Sequence, residues 1–132
     1  TEHTIEIIGE DDIELNSFPG AFSQILNNLI MNSLIHGFQG MEKGVITVDI
    51  SCEEKNIIFV YRDNGRGMNE EEKEKVFDPF FTTRRGKGGT GLGMSIVFNL
   101  VTQTLKGSIE CESSPGNGVV FTMKFPGYRE NN

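Results

Sequence analysis

Two stretches of the chain carry apolar residues at the spacing of an amphipathic α-helix. The first begins near Pro19, a residue suited to a first helical turn, and runs to His36 before Gly37 and Gly40 end it. Its predicted buried stripe is Phe22, Ile25, Leu26, Leu29, Ile30 and Leu34. The second is predicted from Leu92 to Leu105, with its inward positions at Leu92, Ile96, Val97, Leu100, Val101 and Leu105. Residues 70–76 predict a third, short and highly charged helix.

Other segments show the alternation or the short apolar runs that are typical of β-strands. They lie at residues 4–8, 12–15, 45–52, 56–62, 107–113 and 118–125. The first two read as half-buried strands, the middle pair as a hairpin with a short acidic turn, and the last pair as strands joined by SPGNG. Pro126 and Gly127 then end the fold. Strands mixed with about three helices that cover one face predict an α/β (α+β) fold, a two-layer sandwich.

Bulk properties exclude several classes of protein. The 132 residues suit one domain, and the longest apolar run, Ile57–Tyr61, is too short to span a bilayer. Residues 1–15 are acidic and show no signal peptide, and a start at Thr1 leads us to expect a piece of a longer protein. A net charge of −7 argues against nucleic-acid binding. Cys52 and Cys111 form no metal or redox motif, so we expect two reduced thiols of a cytoplasmic protein.

Two asparagines mark the first helix. Asn28 and Asn32 lie four residues apart, on nearly the same face and at the edge of the apolar stripe. A carboxamide at such an edge can offer its oxygen to Mg²⁺ or to a water bound to a phosphate. The alternative is an ordinary solvated asparagine, and these two residues alone would not exclude it.

The sequence Asp63-Asn64-Gly65-Arg66-Gly67 follows an apolar strand directly. A carboxylate at a strand end can accept a hydrogen bond from an exocyclic amine such as adenine N6. Glycines at positions 65 and 67 permit a positive φ and a close backbone approach to a flat ring. A simple turn is the alternative, because Asp-Asn-Gly is favoured turn chemistry.

The stretch FDPFFTTRRGKGGTGLGMS, residues 77–95, combines glycines with a basic cluster before the second helix. Backbone N–H groups among glycines at a helix start bind anions, and Arg84, Arg85 and Lys87 in an acidic chain also point to phosphates. A solvated loop would not explain the three phenylalanines at 77, 80 and 81. The GxGxxG match has no preceding strand, and neither a P-loop nor the VAIK, HRD and DFG motifs of protein kinases occur.

In this order the motifs resemble the catalytic, ATP-binding domain of sensor histidine kinases, in the superfamily that includes Hsp90, DNA gyrase B and MutL. Residues 24–36 resemble the N box, 63–67 the G1 box, 77–89 the F box and ATP lid, and 89–93 the G2 box. The last strand, 118–126, also resembles the family's closing strand. The resemblance spans nearly the whole chain and implies a Bergerat-type fold for a single domain, residues 1–132.

The resemblance also implies a role for individual residues. Asn32 would coordinate Mg²⁺ and Asn28 would lie near the phosphates, the two positions expected to serve catalysis. His36 would lie at the ribose or phosphate edge, although a plain histidine at a helix C-terminus is equally open. The residues expected to contact ATP are Asn28, Asn32, His36, Asp63, Gly65, Gly67, Met68, Phe77, Thr82, Thr83, Arg85, Lys87, Gly89, Thr90, Gly91, Leu92, Gly93, Met94 and Thr122.

Within that set the resemblance distinguishes an adenine end and a phosphate end. Asp63 would bind adenine N6, Gly67 would pack beside the ring, and Thr122 would reach it through water. Gly89, Gly91, Leu92 and Gly93 would present N–H groups to the phosphates. Either Arg85 or Lys87 would contact the γ-phosphate, and the resemblance does not choose between them.

One position favours the kinase branch of the superfamily. The chaperone and gyrase branches carry a glutamate as general base four residues before the Mg²⁺ asparagine, where this chain has Asn28. An amide cannot act as a base near neutral pH, so phosphoryl transfer is expected rather than hydrolysis. An ATP-hydrolysing switch, an anti-sigma serine kinase and a nucleotide sensor without catalysis remain as alternatives. Ser33 departs from the usual alanine of the family, and Met94 from the common leucine.

The family's phosphoacceptor histidine lies on a separate dimerisation helix and is followed by an acidic residue. His3 is followed by threonine and His36 lies in the N box, so neither qualifies. The expected partners are therefore a dimerisation domain upstream of this chain and a downstream response-regulator receiver. The chain itself is expected to be a cytoplasmic monomer without direct membrane contact. Whether the whole protein is anchored in the inner membrane, which signal it senses and whether transfer is in cis or in trans stay open.

Overall fold

The computed structural model describes residues 3–9, 19–41, 43–78 and 93–127. Five strands in these ranges form one mixed sheet: β1 (Thr4–Gly9), β2 (Val45–Glu53), β3 (Asn56–Asp63), β4 (Ser108–Ser113) and β5 (Val119–Pro126). Their order across the sheet is β1-β2-β3-β5-β4. β1 pairs with β2 in parallel, and every other pair is antiparallel. The predicted hairpin β2–β3 is confirmed, and β4 and β5, predicted as two strands joined by SPGNG, also pair as a hairpin.

Helices lie between these strands along the chain: α1 (Pro19–Asn32), α2 (Glu70–Lys75) and α3 (Gly93–Asn99). α1 and α3 continue into π-helical turns, Ser33–Gly37 and Leu100–Thr104 respectively. Asn69 begins α2 through a capping box, in which its side chain accepts from the Glu72 N–H and Glu72 accepts from the Asn69 N–H. Among the described residues, no helix is long and apolar enough to cross a membrane.

The core lies between the sheet and the helices. Alternate residues of β3 and β5 point to it, so Phe59, Tyr61, Phe121 and Met123 are almost fully buried. The helices contribute Ile25, Leu29, Val97 and Val101, all buried. The two-layer α/β arrangement predicted from the pattern is thereby confirmed. Asp63 ends the buried face of β3, and this alternation is what carries a carboxylate to the boundary between sheet and helices.

Strand β1 forms where the alternation predicts it, but its burial differs from the prediction. Ile5, Ile7 and Ile8 are all exposed, Ile7 by 60%. β1 is the last strand on its side of the described sheet, and therefore only β2 flanks it. The predicted strand at residues 12–15 lies outside the described residues.

The end of the first helix also departs from the ideal helical projection. Leu34 was assigned to the buried stripe but is 41% exposed, whereas Ser33 is only 1% exposed. The reason is the π-helical turn that begins at Ser33, in which the Phe38 N–H donates to the Ser33 carbonyl. A π-turn changes the angle between successive residues, and such turns are frequent at functional sites.

The second long helix and the cysteines agree with the prediction. Val97, Val101 and Leu105 are buried, while Ile96 and Leu100 are half-buried. Neither Cys52 in β2 nor Cys111 in β4 forms a disulfide with another described residue. Burial raises the pKa of Cys111 to about 12, against the opposing charge of Lys73, so this thiol stays protonated at neutral pH.

Candidate functional site

A cleft opens where the end of α1, the loop after β3, α2 and the start of α3 meet. Its volume, including the solvent at its mouth, is about 510 Å³. Six of the residues predicted from the sequence line it: Asn32, His36, Asp63, Gly67, Met68 and Met94. Two boxes that are separated by about thirty residues in the sequence, the N box and the G1 box, therefore meet at one site.

Asp63 is a buried carboxylate, 7% exposed, at one end of this cleft. Its Oδ1 accepts hydrogen bonds from the N–H of Gly65 at 3.0 Å and of Val119 at 3.2 Å. Its Oδ2 accepts from the Ser33 hydroxyl at 2.7 Å. The carboxylate is thus fixed by β5, by its own loop and by the helix, and it can receive a further donor from the cleft.

Glycines allow the loop after β3 to lie directly against the end of the helix. A Cβ on Gly65 would lie 2.4 Å from the Gly37 carbonyl oxygen, and a Cβ on Gly37 would lie 2.9 Å from Asp63 Oδ2. Gly67 has a φ of +72°, and a Cβ there would lie 2.1 Å from the Ser114 carbonyl oxygen. Larger residues would separate these segments, so the glycines determine the shape of the cleft at the Asp63 end.

Arg66 joins the same loop to two helices. Its backbone N–H donates to the Gly37 carbonyl at 2.8 Å, and its Nε donates to the His36 carbonyl at 3.1 Å. A cation among the last carbonyls of a helix is favoured by the helix dipole. The guanidinium also lies 3.4 Å from Glu72 of α2. The sequence analysis gave Arg66 no role, although it stands inside the G1 box.

The two asparagines of the first helix lie toward α3. Asn32 lines the cleft, and the carboxamide oxygen of Asn28 is 3.9 Å from where a Cβ on Gly93 would lie. Asn28 Nδ2 is buried and has no hydrogen-bond partner among the described residues. Burying an amide without a partner is costly. An oxygen-rich ligand beside α3 would supply the missing acceptor.

Three predicted contact residues occupy other positions. Gly65 lies behind the cleft and donates to Asp63. Phe77 packs against Phe98 and Phe121, with ring centroids 5.3 and 6.1 Å apart, so this first residue of the predicted lid is anchored on the core. Thr122 was expected near the adenine, but the alternation of β5 places it with Val60 on the face of the sheet opposite Asp63. Its assignment is wrong, and Val119 on β5 lines the cleft instead.

The remaining predicted contacts lie outside the described residues: Thr82, Thr83, Arg85, Lys87, Gly89, Thr90, Gly91 and Leu92. Conversely, five residues line the cleft that were not predicted as ATP contacts: Gly37, Arg66, Glu72, Val76 and Val119. Gly37 adjoins the N box and Arg66 lies inside the G1 box, so position alone could have indicated them. Val119 donates to Asp63 through its backbone, which no side-chain pattern reveals.

Comparison with known proteins agrees with this geometry. Residues 19–129 match the family described as histidine kinase-, DNA gyrase B- and HSP90-like ATPase. The catalytic domain of histidine kinase ThkA, solved without nucleotide, is 32% identical with a TM-score of 0.74, and the match covers 96% of this chain and 80% of that one. The chain therefore belongs to this ATPase family, as an ATP-binding catalytic domain of the histidine kinase type.

Curated relatives of similar sequence are sensor kinases. The sensor histidine kinase ZraS of Klebsiella oxytoca is 39% identical over 109 residues, which cover 82% of this chain and 22% of that protein. The sensor kinase CckA of Brucella abortus is 33% identical, covering 81% of this chain and 12% of that protein. The chain thus spans less than a quarter of the length of these relatives. The mycobacterial sensor histidine kinase MprB, at 20% identity and a TM-score of 0.78, shares the fold.

Proposed function

We propose that the cleft binds ATP together with Mg²⁺ and transfers the γ-phosphoryl group to a histidine of a dimerisation domain outside this chain. The observation that carries the proposal is the placement of Asp63. A buried, fixed carboxylate at one end of an open cleft is a specific acceptor for a purine amine. Such an acceptor discriminates against a purine that presents a carbonyl in the same place.

The part of the site beside α3 suits the triphosphate. Asn28 Nδ2 lacks a partner among the described residues and can donate to a phosphate oxygen or to a water on it. Asn32 can offer its carboxamide oxygen to Mg²⁺. No group of three His, Cys, Asp or Glu that could hold a metal occurs in the described ranges. This donor set fits Mg²⁺ that arrives with the nucleotide and keeps phosphate and water ligands, where it would neutralise phosphate charge.

Catalysis in this proposal is mostly positioning and charge stabilisation. The acceptor histidine supplies the nucleophile, so the domain needs no base of its own. Asn28 stands where a hydrolysing relative would carry its glutamate, and an amide cannot activate water. Asn28 and Asn32 would instead fix the γ-phosphate and its metal, while the segment from Phe77 to Gly89 would cover the nucleotide.

The partners follow from the same proposal. The relatives ZraS and CckA are several times longer than this chain, which leaves room in such a protein for the phosphoacceptor. A response-regulator receiver would then take the phosphoryl group from the histidine. We place the domain on the cytoplasmic side, where ATP is found.

A phosphotransfer assay with labelled ATP tests the proposal. The chain alone should bind ATP and release little phosphate, while the dimerisation domain of the same protein, once added, should become labelled on its histidine. The control is that domain with its acceptor histidine changed to alanine, which should stay unlabelled. Steady hydrolysis by the chain alone, with no labelled acceptor, would favour an ATP-hydrolysing switch instead.

A further inference from the structure

Ser33 is the one hydroxyl in the described residues whose donor contact reaches the Asp63 carboxylate. It is 1% exposed, and its Oγ lies 2.7 Å from Asp63 Oδ2 and 2.7 Å from the Tyr61 hydroxyl. The Tyr61 hydroxyl also lies 3.0 Å from the Leu29 carbonyl. Three polar groups that are buried or nearly so therefore form a chain that begins inside the core and ends at the cleft.

Two hydroxyl protons serve the three contacts of this chain. Each hydroxyl has a single proton, and that of Ser33 goes to the charged acceptor, Asp63, because such hydrogen bonds are the stronger ones. The Ser33 oxygen is then left to accept from Tyr61. Burial raises the pKa of Tyr61, so its hydroxyl keeps the proton that it donates. Ser33 therefore donates to Asp63, and Tyr61 shares its one proton between the Ser33 oxygen at 2.7 Å and the Leu29 carbonyl at 3.0 Å.

The Ser33 donation limits how many further hydrogen bonds the Asp63 carboxylate can accept. A carboxylate can accept about four hydrogen bonds, two at each oxygen. The N–H groups of Gly65 and Val119 occupy both sites of Oδ1, and Ser33 occupies one site of Oδ2. With the donors of the described residues counted, one acceptor site remains, on the oxygen that Ser33 fixes. Without the Ser33 hydroxyl, Oδ2 would keep two open sites and the carboxylate could turn.

We infer that Ser33 is a positioning residue for purine recognition, which holds Asp63 so that its single remaining acceptor site faces the 6-amino group of the base. This inference rests on the proposed function, because it assumes that a purine nucleotide occupies the cleft. The π-helical turn that begins at Ser33 is what turns its side chain toward the sheet.

The test compares two nucleotides on two proteins. Calorimetry measures the Kd of ATP and of purine riboside 5′-triphosphate, which carries hydrogen in place of the 6-amino group. Ser33→Ala should weaken ATP binding about five- to tenfold, the size expected for one hydrogen bond, and should change the Kd of the deaminated analogue less than about twofold. A general structural loss would weaken both nucleotides alike.

Controls separate this inference from the function on which it rests. Ser51 lies on β2, and its pairing with Ile58 places it on the sheet face opposite Asp63. Ser51→Ala should therefore leave both Kd values unchanged. Ser33→Cys keeps a weak donor on a slightly larger side chain, so its ATP affinity should fall between those of the native protein and Ser33→Ala. Equal losses for the two nucleotides, or no loss for ATP, would overturn the role of Ser33. Failure of the native protein to bind ATP would instead overturn the proposed function.

Discussion

Asp63→Asn should weaken ATP binding about 100-fold. The hydrogen bond from the adenine amine to the charged carboxylate is lost, and the new side-chain NH₂ group faces that amine as a second donor. In the native protein both carboxylate oxygens only accept hydrogen bonds, from Gly65, Val119 and Ser33. An asparagine whose oxygen satisfies the two backbone donors must direct its NH₂ group at the position of Oδ2. Ser33 can rotate to accept from that group, but a purine amine cannot. Calorimetry with ATP measures the loss.

Asp49→Asn is the matched control for this substitution. Asp49 lies on β2, and its pairing with Val60 places it on the sheet face opposite Asp63. Asp49→Asn removes the same charge from the same sheet, but away from the cleft. It should therefore leave the ATP Kd within about twofold of the native value. Thermal unfolding of both variants would check that each keeps its fold. Unchanged ATP affinity in a folded Asp63→Asn protein would contradict the assignment of the purine end.

Asn32→Ala should reduce phosphoryl transfer to the dimerisation domain by more than about 100-fold, while nucleotide affinity without Mg²⁺ changes little. The expected loss exceeds the 10- to 100-fold that removal of a metal's outer contacts commonly costs, since Asn32 is proposed as a direct ligand. The measurement is the initial rate of histidine labelling over a range of Mg²⁺ concentrations. A requirement for more Mg²⁺ would identify the defect as loss of the metal contact.

Asn27→Ala provides the comparison on the same helix. Asn27 is exposed and adjoins Asn28, but it points to solvent, so its loss should leave the transfer rate unchanged. It carries the same change in helix propensity as Asn32→Ala, and this term is therefore common to both variants. If both substitutions lowered the rate equally, the effect would belong to the helix, and the Mg²⁺ role of Asn32 would be refuted.

The arrangement of helices and strands follows closely from the sequence because it depends on local periodicity. The hairpins β2–β3 and β4–β5 appear where alternation and turn residues indicate them. Leu34 is different, because a 100° helical projection assumes a uniform helix and the π-turn from Ser33 breaks that assumption. The exposure of β1 depends on its position at one end of the sheet, which periodicity does not encode.

The candidate site could be predicted in part, where a residue acts through a distinctive side chain in a local motif. Asp63 and Asn32 carry distinctive side chains within recognisable motifs, and both line the cleft. The prediction for Thr122 came from the family resemblance, whereas the face on which a residue lies depends on its register with β3. Val119 acts through its backbone N–H, so its identity gives no signal. The resemblance marked Ser33 as a departure from the usual alanine, but its hydrogen bond with Tyr61 joins residues far apart in the sequence and could not be predicted from it.

Backbone amide NMR of the chain, titrated with a nonhydrolysable ATP analogue and Mg²⁺, tests the cleft most directly. We expect saturable shifts with one nucleotide bound per chain, concentrated at Gly65, Gly67, Met68 and Val119, which surround Asp63. Amides of Arg62, Val120 and Thr122, whose side chains lie on the opposite face, should shift less. The absence of saturable shifts, or their concentration on that opposite face, would contradict ATP binding in this cleft.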